Sequence, residues 1–235
     1  KNKNLVYLNN EYILNENITF NKTHYFPKNK ILRIKNGVKI KFENDVYFLS
    51  EGSIIFDGTK ENPIEIFSNK KNGSIILLNN NYIIKNVKFN NLSFPKIKNK
   101  ILYGGVNIIN SNVKIINSEF SSSNSEDALN IISSITFIDD LKMKNIYADA
   151  IDIDFGEVIF SKITCKNIIN DCLDVSGAKI KGDYLEAVDV QDKGLSFGEV
   201  SVGTISKTTF KRNKVGVAVK DGSDLTLINN FSENN

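Results

Sequence analysis

Apolar and polar residues alternate with a period of two along most of this chain, and the alternating blocks recur. Asp127-Ala128-Leu129-Asn130-Ile131 returns as Asp149-Ala150-Ile151-Asp152-Ile153 and again as Asp171-Cys172-Leu173-Asp174-Val175. Lys193-Gly194-Leu195-Ser196-Phe197 and Val215-Gly216-Val217-Ala218-Val219 follow, each block starting 22 residues after the last. Leu141, Ile163 and Leu185 keep the same step, as do Met143, Cys165 and Ala187. A period of two predicts strands rather than helices. A 22-residue unit is too short for a propeller blade of about 40 residues, but it suits one coil of a parallel β-helix, with three short strands joined by turns. Coils then stack about 4.8 Å apart, so like residues lie on like residues.

Upstream the pattern loosens. Ile31-Leu32-Arg33-Ile34-Lys35 and Lys39-Ile40 read as two strands around the turn Asn36-Gly37. Val106-Asn107-Ile108 sits one coil before Leu129-Asn130-Ile131, with one residue inserted. Residues 1–30 are read as an N-terminal cap and 31–235 as one β-helix domain of about nine coils. His24, the only histidine, is read as a cap or surface residue. The last residues are still in pattern, so a further domain or a protein partner is expected at the C-terminal end.

Composition narrows the classes. The chain has 235 residues, 41% hydrophobic and 24% charged, which suits a folded domain. With 30 basic and 27 acidic side chains the net charge is +3, too balanced for a nucleic-acid binder acting through bulk charge. No stretch reaches the roughly 18 apolar residues of a membrane helix, so no membrane insertion is expected. Cys165 and Cys172 fall in an apolar column and a small-residue column, and are read as buried thiols rather than a disulfide. The abundance of Asn, Lys and Ile is read as a genomic bias without functional meaning.

The outstanding chemistry is acidic. Asp127, Asp149 and Asp171 share one column, and Asn130, Asp152 and Asp174 share a second that is expected to point outward, with Asp154 close by. Carboxylates about 4.8 Å apart repel by about 3 kcal/mol per neighbouring pair at an effective dielectric of 20, and nearer 1 kcal/mol in water. Lys193 follows Asp171 in the first column and can relieve part of this. Three readings stand. The Asp side chains cap turns through backbone N–H groups. Or oxygens of Asp149, Asp152, Asp171 and Asp174 hold Ca²⁺, the candidate cofactor. Or the site is catalytic, with Asp127 and Asp171 about 9.6 Å apart between backbones, near the separation of an inverting glycosidase. In a Ca²⁺-assisted lyase Lys193 is the candidate base, although neighbouring carboxylates raise its pKa.

From about residue 30 onward the chain resembles the right-handed parallel β-helix repeat proteins, most closely in Asn170-Asp171-Cys172-Leu173-Asp174-Val175-Ser176-Gly177 and Asp192-Lys193-Gly194-Leu195-Ser196-Phe197-Gly198-Glu199. The resemblance is to bacterial secreted and surface members, and implies an all-β solenoid outside the cytoplasm. The polygalacturonase-type glycoside hydrolases share the fold and carry Asn-Thr-Asp, Gly-Asp-Asp, Gly-His-Gly and Arg-Ile-Lys on successive coils. This chain is similar in spacing at Tyr147-Ala148-Asp149, Ile169-Asn170-Asp171-Cys172, Asp192-Lys193-Gly194 and Ala218-Val219-Lys220. The resemblance assigns water activation to Asp149 and Asp171. It places the family's general-acid Asp on Asn170, its histidine on Lys193 and its arginine on Ala218.

Grooves along stacked strands suit extended polymers, so the expected partner is a polysaccharide, bound or processed on the Asp-lined face. Asp127, Asn130, Tyr147 and Asn170 are the expected contacts, beside Asp149, Asp171 and Lys193 as catalytic candidates. The alternative is a non-catalytic structural or adhesive module of a larger surface protein. Tyr147, Phe155 and Tyr184 are expected near the acidic columns, with Tyr147 the best ligand contact and Phe197 in the core. Ser121–Ser125 is read as a solvated loop, and Lys96, Lys98 and Lys100 as one solvated strand face.

Overall fold

A computed structural model describes residues 5–8, 10–98 and 102–235. The chain is a parallel β-helix, a solenoid of about ten turns rather than nine. Two sheets run its length. The shorter has nine strands, from His24–Phe26 at one end to Val215–Val219 at the other, all parallel in the pairings between successive coils. The larger holds the remaining strands of each coil, bent at a corner. The 22-residue step is the strand register itself: Leu129 pairs with Ile151, Ile151 with Leu173, Leu173 with Leu195 and Leu195 with Val217. The extra residue before Asp127 shows as Val106 pairing with Leu129.

Alternation turns one face of each strand into the shared interior. Leu129, Ile151, Leu173, Leu195 and Phe197 are all fully buried, as expected of Phe197. Ala128, Ala150 and Cys172 form a second buried column. At Gly194, in that column, a Cβ would meet the Phe210 ring at 2.5 Å and the Gly216 carbonyl at 2.7 Å, so glycine alone fits without a shift.

Corners between strands carry left-handed residues in columns of their own: Asn110, Ser133, Phe155 and Gly177 in one, Asn145, Asn167, Asp189, Arg212 and Asn234 in another. Asn is the commonest non-glycine residue at such corners, which suits its tolerance of positive φ. The Asn content therefore has a structural use that the genomic reading missed.

Over its described residues the 1–30 segment divides in two. Leu5–Leu8 pairs antiparallel with Glu11–Leu14, while Glu11–Leu14, Ile18–Phe20 and His24–Phe26 already pair in parallel with the next coil. The His24 ring lies 4.4 Å from that of Phe20, and burial lowers its pKa, with Lys22 adding to the effect. Three expectations need correcting. Cys165 and Cys172 form a disulfide with Cα atoms 5.8 Å apart, because the corner returns the chain to the adjacent column within seven residues. The segment around Lys96 and Lys98 is not an extended strand, Lys96 reaches Asp45 at 2.6 Å, and Lys100 lies outside the described residues. Ser123 and Ser125 are buried, bonded to each other at 2.6 Å, so this stretch is not a solvated loop. Among the described residues no helix is long and apolar enough to cross a membrane.

Candidate functional site

The short sheet's outer face carries the acidic columns. Asp127 pairs with Asp149 across the sheet, and Asn130, Asp152, Asp174 and Ser196 follow one another in register. The middle of the second column is only half-buried at Asp152 and Asp174, but its ends are covered: Asn107 and Ser196 are fully buried and Asn130 is 1% exposed. Asn130 is thus not the outward, open contact that simple alternation predicts. The irregular stretch at Ala128 brings Asp127 and Asn130 onto one face, and Asn130 Nδ2 donates to Asp127 Oδ2 at 2.7 Å. One coil earlier Asn107 does the same to its own strand, accepting from Gly104 N at 3.0 Å and donating to Gly104 O at 2.7 Å.

The first column is stitched to the backbone of the next coil. Asp149 Oδ1 accepts from Asp171 N and from Asn170 Nδ2, both at 2.7 Å. Asp171 Oδ1 accepts from Lys193 N at 2.9 Å, and Lys193 Nζ lies 3.2 Å from Asp171 Oδ2 and 2.5 Å from Asp192 Oδ2. Asn170 and Asp171 sit in the corner closed by the Cys165–Cys172 disulfide. That bridge therefore holds the two donors that reach Asp149.

Crowded, poorly solvated carboxylates hold protons tightly. Burial pushes Asp152 up to about 8, with the charges of Asp127, Asp154, Asp174 and Asp149 adding to it. Burial takes Asp149 up to about 7 against the hydrogen bond from Asp171 N, and Asp127 up to about 6 against the bond from Asn130. Asp154 and Asp171 are raised by burial too, the latter opposed by Lys193. Burial lowers Lys193, but hydrogen bonds and charge from Asp192 and Asp171 outweigh it and leave the ammonium above its usual range. That arrangement suits an anchor better than a base.

For a cation the oxygens are of the right hard type. Asn130 Oδ1 and Asp174 Oδ1 are buried without hydrogen-bond partners, yet among the described residues no three acidic, His or Cys side chains converge as metal ligands.

Two exposed rings bracket the acidic strand Asp149–Asp154. Tyr147 precedes it and is 64% exposed; Phe155 follows it and is 63% exposed, over Gly177. Tyr184, expected nearby, belongs instead to the other sheet, where Lys162 Nζ lies 5.8 Å from its ring centre. Phe155 owes its exposure to its left-handed corner at φ 55°, a signal hidden in a sequence where that column otherwise holds Asn, Ser and Gly.

No protein-family model and no curated protein matches the sequence. Among solved structures, the chain is similar to crystal structures of the periplasmic alginate epimerase AlgG and of a point mutant of it. The first aligns at 10% identity and TM-score 0.38 over 97% of this chain and 80% of that one; the second at 10% and 0.36 over 95% and 78%. A likeness this distant carries nothing about chemistry.

Proposed function

We propose that this chain is an exported protein that binds an extended polysaccharide along the outer face of the short sheet. The observation that carries the reading is the acidic strand Asp149–Asp154 with an exposed aromatic ring at each end. Rings of this kind stack on sugar faces, and carboxyl groups that keep their protons near neutral pH both donate to and accept from sugar hydroxyls. Asp152 is the central contact, with Asp127, Asp149 and Asp174 beside it. The buried disulfide supports an oxidising compartment.

Binding is favoured over cleavage because Asp149 and Asp171 already accept backbone N–H groups and Lys193 is held by two carboxylates. Ca²⁺ is the ion that Asp149, Asp152, Asp171 and Asp174 would take, after side-chain rotation.

The test is a panel of acidic and neutral polysaccharides, with Ca²⁺ and with chelator, following both retention of the protein and polymer length. The expected result is retention without shortening, weakened by Tyr147→Ala and by Asp152→Ala. Polymer shortening that disappears in Asp171→Asn would make the protein an enzyme. No retention by any polymer would overturn the reading. A melting temperature that rises with Ca²⁺ in the parent but not in Asp174→Asn would place the ion on this face.

A further inference from the structure

On another side of the solenoid, where the larger sheet bends, one coil departs from the repeat. Most later coils turn this corner through a single left-handed residue such as Asn117 or Asp140. Between strands Ser53–Asp57 and Ile64–Ser68 the chain instead inserts residues 58–63. This loop is fixed from several sides. Gly58 N donates to Lys85 O at 3.0 Å, Asn86 Nδ2 donates to Gly58 O at 2.8 Å, and Asn62 N donates to Thr59 Oγ1 at 3.0 Å. Gly58 packs so closely that a Cβ would lie 2.3 Å from Asn86 O. The loop is one wall, and it encloses a cleft of about 300 Å³ with residues at the corner of the next three coils. Insertions into a repeat commonly form its binding surfaces.

Charge accounting in the cleft leaves a remainder. Lys88, Glu119 and Lys142 stack in register along one wall. Glu119 is paired with Lys144 at 3.3 Å, and Asp140 lies 3.9 Å from Lys142. Lys60 and Lys88 also line the cleft, and among the described residues neither ammonium has an ion-pair or hydrogen-bond partner. Asp140 contributes the opposite need: among the described residues neither carboxylate oxygen accepts a hydrogen bond, and with Oδ1 buried it is Oδ2, 3.9 Å from Lys142 Nζ, that a ligand can reach. Two unclaimed cations and one unclaimed acceptor on the same cleft ask for a ligand that carries both an anion and a hydroxyl donor. A simple inorganic anion answers only the first, and a neutral sugar only the second.

We propose that this cleft is a binding site for an acidic sugar unit, its carboxylate held by Lys60 and Lys88 and a hydroxyl donated to Asp140. The site shares no residue with the acidic face, so it stands or falls apart from the reading given above.

The test titrates ¹⁵N-labelled full-length protein with glucuronate, glucose and sulfate. Glucuronate should move the amide signals of Thr59, Lys60, Lys88 and Asn117 in a saturable way, and glucose should not. Lys60→Gln with Lys88→Gln should weaken glucuronate by about tenfold or more, a loss of about 1.4 kcal/mol. Both lysines are exposed, so the fold should survive, which the rest of the spectrum reports directly. Asp140→Ala, which removes the acceptor outright, should weaken glucuronate relative to sulfate, because the lost charge favours both anions alike and the lost acceptor serves only the hydroxyl. Signals that do not move, or that move away from the cleft, would overturn the proposal. So would sulfate matching glucuronate in both the parent and Asp140→Ala, which would mean an adventitious ion only.

Discussion

The acidic face and the lysine-lined cleft are built by opposite means. The face is made by repetition: side chains recur once per coil, placed by strand register, with Asp149 and Asp171 each bonded to the backbone of the next coil. The cleft is made by interruption: one inserted loop, closed on itself and resting on a corner. Residues in the first serve fold and site together, so changing them should disturb both. Residues on the rim of the second serve the site alone.

That contrast can be broken by experiment. The largest effect is expected from Asp171→Ala, which strips an acceptor from Lys193 N and one of two partners from Lys193 Nζ. A loss of about 3 kcal/mol in denaturant unfolding is expected, and a loss below about 0.5 kcal/mol would deny the face its structural part. Next is the double replacement Cys165→Ala with Cys172→Ala. Opening so short a loop should lose about 2.5 kcal/mol on the chain-entropy account. It should also shift the Asn170 side-chain amide signals, because that corner presents Asn170 to Asp149. An unchanged Asn170 signal would show that the corner holds itself.

Third is pH. The carboxyls of Asp127, Asp149 and Asp152 titrate higher in the folded chain than in the unfolded one. Between about pH 4 and 8 the folded state therefore binds more protons, and its stability falls as pH rises across that window, levelling off above about 8. The protein should be more stable at pH 5 than at pH 8, and Asp152→Asn should flatten the difference by about 1–2 kcal/mol, since the group is only half-buried. An opposite slope would mean that the carboxylates are better solvated or paired than their burial implies. The smallest effect belongs to the cleft: Lys60→Ala should change stability by less than about 0.5 kcal/mol while still weakening the ligand. A larger loss would erase the distinction between the two sites.

The same contrast explains what could be read in advance. Repetition is visible in a sequence, so the strand period, the 22-residue register and both acidic columns were legible from the blocks that begin at Asp127, Asp149 and Asp171. Local departures were not. Asn130 is buried where Gly104 and Asn107 of the preceding coil pack against it, a contact that alternation cannot show. Cys165 and Cys172 occupy different columns, so column matching separates two residues that the corner joins. Phe155 projects because its backbone is left-handed, where sequence columns suggest only a turn. The cleft draws on Lys60, Lys88 and Asp140, which share no column and become neighbours only once an unrepeated loop is folded.

The constant step has a genetic consequence. Adjacent blocks such as those beginning at Asp149 and Asp171 are alike enough in pattern that an in-frame duplication or deletion of one 22-residue unit leaves the flanking strands in register. Each such event between these blocks lengthens or shortens both acidic columns by one carboxyl each. The inserted loop lies outside the repeating stretch and would pass through the change untouched. Descendants of this chain can thus vary the length of one site in whole units while inheriting the other intact.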